Sequence, residues 1–128
     1  MTGPEAFDTA AVARKLRERD ARRRQHRLEL HRRAAADADA IIGLIRDKYN
    51  PRRIYQWGSV LHPDRFDENS DIDIAVDGLK SAEEFFALYG DVMDMTDFAL
   101  DLVELEKVNP IHRESILKNG RVAYDRGD

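Results

Sequence analysis

Apolar positions along this chain follow two rhythms. From Thr9 to Tyr49 they recur at three and four residues. Leu28, His31, Ala35, Ala38, Ile42, Ile45 and Tyr49 share one stripe, which Ile41 widens; that spacing predicts an amphipathic helix. Asp8 can cap its start by accepting a free backbone N–H. Asn50-Pro51 ends it, since the residue before proline avoids helical dihedrals. The earlier part of this helix, "AVARKLRERDARRRQHR", carries only Val12 and Leu16 as clear apolar anchors. It is expected to project, to fray or to meet another chain.

After Pro51 the rhythm shortens. "RIYQW" (Arg53 to Trp57) alternates and is rich in strand formers, so a strand is predicted to end at Gly58. "DIDIAV" (Asp71 to Val76) reads as a second strand, closed by Asp77-Gly78. Ser81 and Glu84 have capping-box spacing and open a helix to about Met95. Phe85, Leu88, Tyr89 and Val92 are its expected core face. "ALDLVEL" (Ala99 to Leu105) is a third strand. Asn109-Pro110 starts a helix that ends at Asn119-Gly120, and "RVAY" (Arg121 to Tyr124) is a last short strand. The expected class is α+β: a small mixed sheet with helices mainly on one side, preceded by a long N-terminal helix. Residues 1–49 are read as a basic helical arm packing on the body and residues 50–128 as the domain that carries the sheet.

Composition sharpens this picture in two respects. With no cysteine among 128 residues, disulfides and thiolate metal sites are excluded. There is no apolar run of membrane-spanning length and "MTGPEAFDTA" lacks a secretory layout, so a soluble, cytoplasmic protein is expected. The net charge of -4 is unevenly spread. Residues 1–49 hold twelve Lys+Arg against eight Asp+Glu, and residues 50–128 hold nine against seventeen. A basic arm on an acidic body suggests a partner surface, although a solvated helix face accounts for it equally simply.

The acidic residues that matter most sit among apolar ones. Residues two apart on a strand point the same way, so Asp71 and Asp73 present two carboxylates to one face, roughly 7 Å apart. Unpaired, they would repel each other and resist ionisation. A hard divalent cation such as Mg2+, bound through one or two carboxylates and substrate phosphates, removes that cost. Asp101 lies in another apolar strand, "FALDLVELE". If the two strands are neighbours, all three acids reach one site, and three carboxylates can hold the two metals of in-line nucleotidyl transfer. Gly58-Ser59, directly after a strand, lets backbone N–H groups approach a phosphate. Asp64, Asp67, Glu68 and Asp77 are read as loop and turn residues. His26, His31, His62 and His112 show no ligand spacing; His62 alone lies close enough to the expected phosphates for a substrate contact.

Gly58-Ser59, a loop, Asp71-Ile72-Asp73 and then Asp101 together resemble the minimal nucleotidyltransferases of the DNA polymerase beta-like superfamily. The tail "NPIHRESILKNGRVAYDR" also looks like the ending of these small proteins, and the likeness covers about Asn50 to Arg126. The resemblance implies a mixed sheet, ATP as nucleotide donor and two Mg2+ ions. It makes Asp71, Asp73 and Asp101 the catalytic and metal-binding residues, with Gly58, Ser59, Arg65 and Ser70 on the nucleotide. The loop departs from the family pattern. Its eleven residues, Val60 to Ser70, are one more than usual, and "VLHPDRF" stands where a second glycine and basic residues are customary. Pro63 takes the place of the glycine bend and Arg65 that of the basic group.

Such small chains are often antitoxins of a HEPN-domain RNase toxin, and some transfer AMP to a tyrosine of that toxin. The leading expectation is therefore Mg2+-dependent transfer of AMP to a hydroxyl of a HEPN-type partner, with homo- or hetero-oligomerisation through the N-terminal helix. A non-catalytic antitoxin acting by contact is the alternative. A small-molecule nucleotidyltransferase would need an acceptor domain for which there is little room. A nucleic-acid partner is disfavoured because no aromatics interleave with the arginines and the body is acidic.

Overall fold

The computed structural model describes residues 8–128; most of the N-terminal stretch read for a secretory layout lies outside them. Three helices and four strands follow in the order α1 (Thr9–Tyr49), β1 (Arg53–Trp57), β2 (Ile72–Asp77), α2 (Ala82–Val92), β3 (Leu100–Glu104), α3 (Pro110–Asn119) and β4 (Arg121–Asp125). The sheet order is β3-β2-β1-β4. β1 is antiparallel to β2 and β4, while β2 and β3 run parallel. The sheet is thus mixed, as expected. Among the described residues no helix is long and apolar enough to cross a membrane.

The caps act as the sequence suggests. Asp8 accepts from Ala11 N, Ser81 from Glu84 N and Asn109 from His112 N. Asn50 adopts a left-handed conformation, and its N–H donates to the Ile45 and Arg46 carbonyls. α2 stops at Val92 rather than near Met95, where a turn closes from Met95 N to Val92 O.

The main core lies between α1, α2 and one sheet face. Ile54, Ile72, Ile74 and Val76 meet Ala34, Ala38, Ile41, Ile42, Ile45, Leu88 and Val92 there. The stripe on α1 is turned from the expected one. Ala34 is fully buried, Ala35 only partly, and Leu28 is 42% exposed. In an alanine-rich segment, periodicity alone does not separate neighbouring alanines. Ala34 and Ala38 are both fully buried in the main core. The other sheet face is partly covered by α3, with Tyr55, Ala75, Leu105 and Ile116 buried together.

Asp77 is not the solvated turn residue expected. It is 5% exposed and accepts from both the Nε and the Nη2 of Arg52 at 2.9–3.1 Å. The fork of the guanidinium matches the carboxylate and offsets its burial. The pair closes the end of β2 away from the candidate site.

Candidate active site

The site forms on the sheet face that carries α3. In the ladder Trp57 pairs with Asp73, and Asp73 pairs with Asp101. The three therefore make one row across β1, β2 and β3. Strand neighbours lie about 4.8 Å apart, so the two acids are brought side by side by the parallel β2–β3 register. Asp71 stands one residue before β2, exposed, at the open end of the row.

Gly58 closes this row from above. Its φ is +80°, a conformation that a side chain disfavours. A Cβ built on it would lie 2.1 Å from Asp73 Oδ2. The glycine is needed for the carboxylate beside it as well as for any phosphate. Gly58–Leu61 then winds into a 3-10 turn, with His62 N donating to Ser59 O. The first N–H groups of such a turn have no partner within it.

The eleven-residue loop that follows is built, not slack. Val60 and Phe66 are buried in the main core. Pro63 opens a second 3-10 turn, Pro63–Arg65, where its fixed φ suits the first position. Arg65 and His62 are both exposed. Ser70 is tied into the loop: its Oγ accepts from Asp67 N at 3.0 Å, and Asp67 Oδ1 accepts from Asn69 N. In this conformation the Ser70 hydroxyl holds the turn that delivers Asp71.

Two supports of the site escape a motif reading. His31 Nε2 lies 2.7 Å from Val60 O, and its ring meets Phe66 edge-on at 5.6 Å between centroids. Phe66 in turn meets Phe98 at 5.7 Å. α1 thereby braces the Gly-Ser turn. Only the loop's apolar members, Val60 and Phe66, hinted at this in the sequence. Beside Asp71 a cleft of about 460 Å³ opens between α1 and the loop, lined by Leu30, Arg33, Ser70, Asp71, Asp97 and Phe98 among others. The Arg33 guanidinium lies 5.8 Å from the Phe98 ring centroid.

The electrostatics of the row are strained in one direction. Burial, then Asp101, then Asp71 push the Asp73 carboxyl up to about 7. Three carboxylates are a donor set that suits Mg2+, and a cation would relieve that repulsion. The side chains form a row rather than a closed cage: among the described residues no three acidic or histidine groups already converge on one metal position.

The shift has a measurable consequence for the metal-free protein. A carboxyl raised from an ordinary value of 3.8 to about 7 is protonated more readily folded than unfolded. Its favourable contribution is complete below the unfolded value and is lost as pH rises through about 7. Asp73→Asn should therefore stabilise the chelator-treated protein at pH 8, by about 1–2 kcal/mol, with the gain vanishing toward pH 4. Melting temperatures across that range test this. An Asn variant no more stable than wild type at pH 8 would show that the carboxylate is not strained.

Two solved structures are similar to this chain in fold. A crystal structure described as the toxin–antitoxin MntA–HepT aligns with a TM-score of 0.53 at 25% identity, covering 70% of this chain and 71% of that one. A toxin–antitoxin crystal structure with AMP-PNP aligns with a TM-score of 0.56 at 27% identity, covering 69% and 73%. No curated protein matches the chain. The family described as "Polymerase beta, Nucleotidyltransferase" matches residues 39–128, the stretch that holds the Gly58 turn and all three aspartates, and the chain belongs to that family.

Proposed function

We propose that this protein transfers AMP from ATP to a hydroxyl of a protein partner, and that the partner is a HEPN-type RNase toxin for which it is the antitoxin. The observation that carries the reading is the in-register row of Asp73 and Asp101 under a glycine with no room for a side chain. The family supports nucleotidyl transfer. The similar structures are toxin–antitoxin complexes, one with an ATP analogue.

On this reading the Gly58–Leu61 turn holds the triphosphate through its backbone N–H groups and the Ser59 hydroxyl, with Arg65 and Ser70 on the same side. Asp71, Asp73 and Asp101 would hold Mg2+, which supplies charge neutralisation of the phosphates and acidifies a bound hydroxyl. Asp101 is the most exposed of the in-register pair and accepts the proton of the attacking hydroxyl. The partner's oxygen bonds to the α-phosphorus, the bond to the bridging oxygen breaks, and pyrophosphate leaves. A tyrosine ionises near about pH 10, so attack at neutral pH needs that proton acceptor. The protein's share of catalysis is positioning and charge neutralisation.

Intact-mass measurement of the cognate partner after incubation with ATP and Mg2+ tests the reading. Addition of one or more AMP units is expected, and Asp101→Ala should reduce transfer at least about a hundredfold while keeping much of the ATP affinity. An unmodified partner that is nonetheless fully inhibited would establish the contact-only antitoxin instead.

A further inference from the structure

The part of α1 outside the family match, Thr9–Ala38, does not project at random. The face that packs on the core through Leu30, Ala34 and Ala38 continues toward the N-terminus as Arg27, Arg23 and Arg19. There it borders a groove of about 490 Å³ whose opposite wall is Asp67 and Glu68. Among the described residues Arg19, Arg22, Arg23 and Arg27 make no ion pair, and neither Asp67 nor Glu68 does. Glu68 also lines the cleft that reaches Ser70 and Asp71. The groove is thus one wall basic, one wall acidic, and meets at Glu68 the cleft that borders Asp71.

We propose that this two-walled groove is the acceptor-docking surface, and that its occupant is a polypeptide segment of the partner with acidic residues on one side and basic residues on the other. The proposal rests on the nucleotidyl-transfer reading for the identity of the site it leads to. The charge pattern selects the occupant. A nucleic acid is negative all round, so it would lie against Asp67, Glu68 and Asp71 while reaching the arginines. A helix of mixed charge satisfies both walls and has side-chain hydroxyls to present where the groove meets that cleft. Docking of this kind acts chiefly on association rate and is screened by salt.

Binding without ATP or metal separates this proposal from the chemistry. The probe is a fluorescein-labelled helical peptide of mixed charge, with glutamates on one face, lysines on the opposite face and one tyrosine. Controls are the same composition scrambled and a single-stranded oligoadenylate. Fluorescence anisotropy at low salt should show the patterned peptide binding at least about tenfold more tightly than either control. Arg19→Glu, Arg23→Glu and Arg27→Glu together should abolish that preference. The triple variant, shown to be folded by its circular dichroism and melting transition, should instead favour a peptide with lysines on both faces. Equal binding of patterned and scrambled peptides would overturn the proposal, as would tighter binding of the oligoadenylate. Peptide preference with no AMP transfer to any partner would leave the groove standing and remove the proposed reaction.

Discussion

Gly58→Ala is expected to cost nucleotide binding far more than it costs stability, and Gly58→Val to cost both. The cause is steric and local. At φ +80° a β-carbon is disfavoured by about 1–2 kcal/mol, and here it would also sit 2.1 Å from Asp73 Oδ2. Alanine can be accommodated if the Asp73 carboxylate swings aside, because the clash is with the end of a short side chain. That movement takes Asp73 out of the row with Asp101. Mg·ATP affinity should fall at least about a hundredfold in Gly58→Ala, while thermal stability falls only by a few degrees. Valine adds branching that the turn cannot absorb, so its unfolding should be plain. The coupling is checked by a double-mutant cycle. In an Asp73→Ala background the stability cost of Gly58→Ala should shrink, because the clashing oxygen is gone. Additive costs would mean that the glycine answers to something other than Asp73.

That contact also marks the limit of what the sequence discloses. The Gly-Ser pair, the spacing of Asp71 and Asp73 and the apolar setting of Asp101 are local patterns, and each is legible in a single window. Period-two alternation located the four strands to within about two residues, and capping residues located the helix starts. The β2–β3 pairing that sets Asp73 beside Asp101 is non-local; the sequence permits it but does not state the register. The same holds for His31, which reads as one more member of a helical stripe yet braces the loop through the Val60 carbonyl. Asp77 is the converse case. Beside Gly78 it carries every mark of a turn residue, and only the fold brings Arg52 to it from 25 residues away. The altered loop shows how a motif departure is absorbed. "VLHPDRF" lacks the usual second glycine, and the chain replaces flexibility with anchorage, using Val60 and Phe66 as plugs and Pro63 to start a tight turn.

Asp71→Asn with Asp73→Asn is expected to reverse the way Mg2+ affects ATP binding. In the wild-type protein burial first, and then the like charges of Asp101 and Asp71, push the Asp73 carboxyl up to about 7. A triphosphate arriving alone meets that negative field and is repelled, so affinity with chelator present should be poor. Mg2+ changes the sign of the local field, because a divalent ion shared between carboxylates and phosphates turns repulsion into attraction. The double variant keeps the shape and hydrogen-bonding capacity of both side chains but loses two negative charges. Its affinity for Mg·ATP should drop by about two orders of magnitude or more if, as proposed, the three aspartates hold the cation, since two of those carboxylates are then gone. Its affinity for metal-free ATP should stay level or rise, since the repulsion has gone. Stability should not suffer, because Asp71 is exposed and Asp73 is relieved of a strained charge. Calorimetric titrations with ATP, in Mg2+ and in chelator, give all four affinities. A variant that binds Mg·ATP as tightly as wild type would remove both aspartates from the metal site. A variant that loses affinity equally with and without Mg2+ would show that the aspartates hold the nucleotide, or the fold, by some other means than a shared cation.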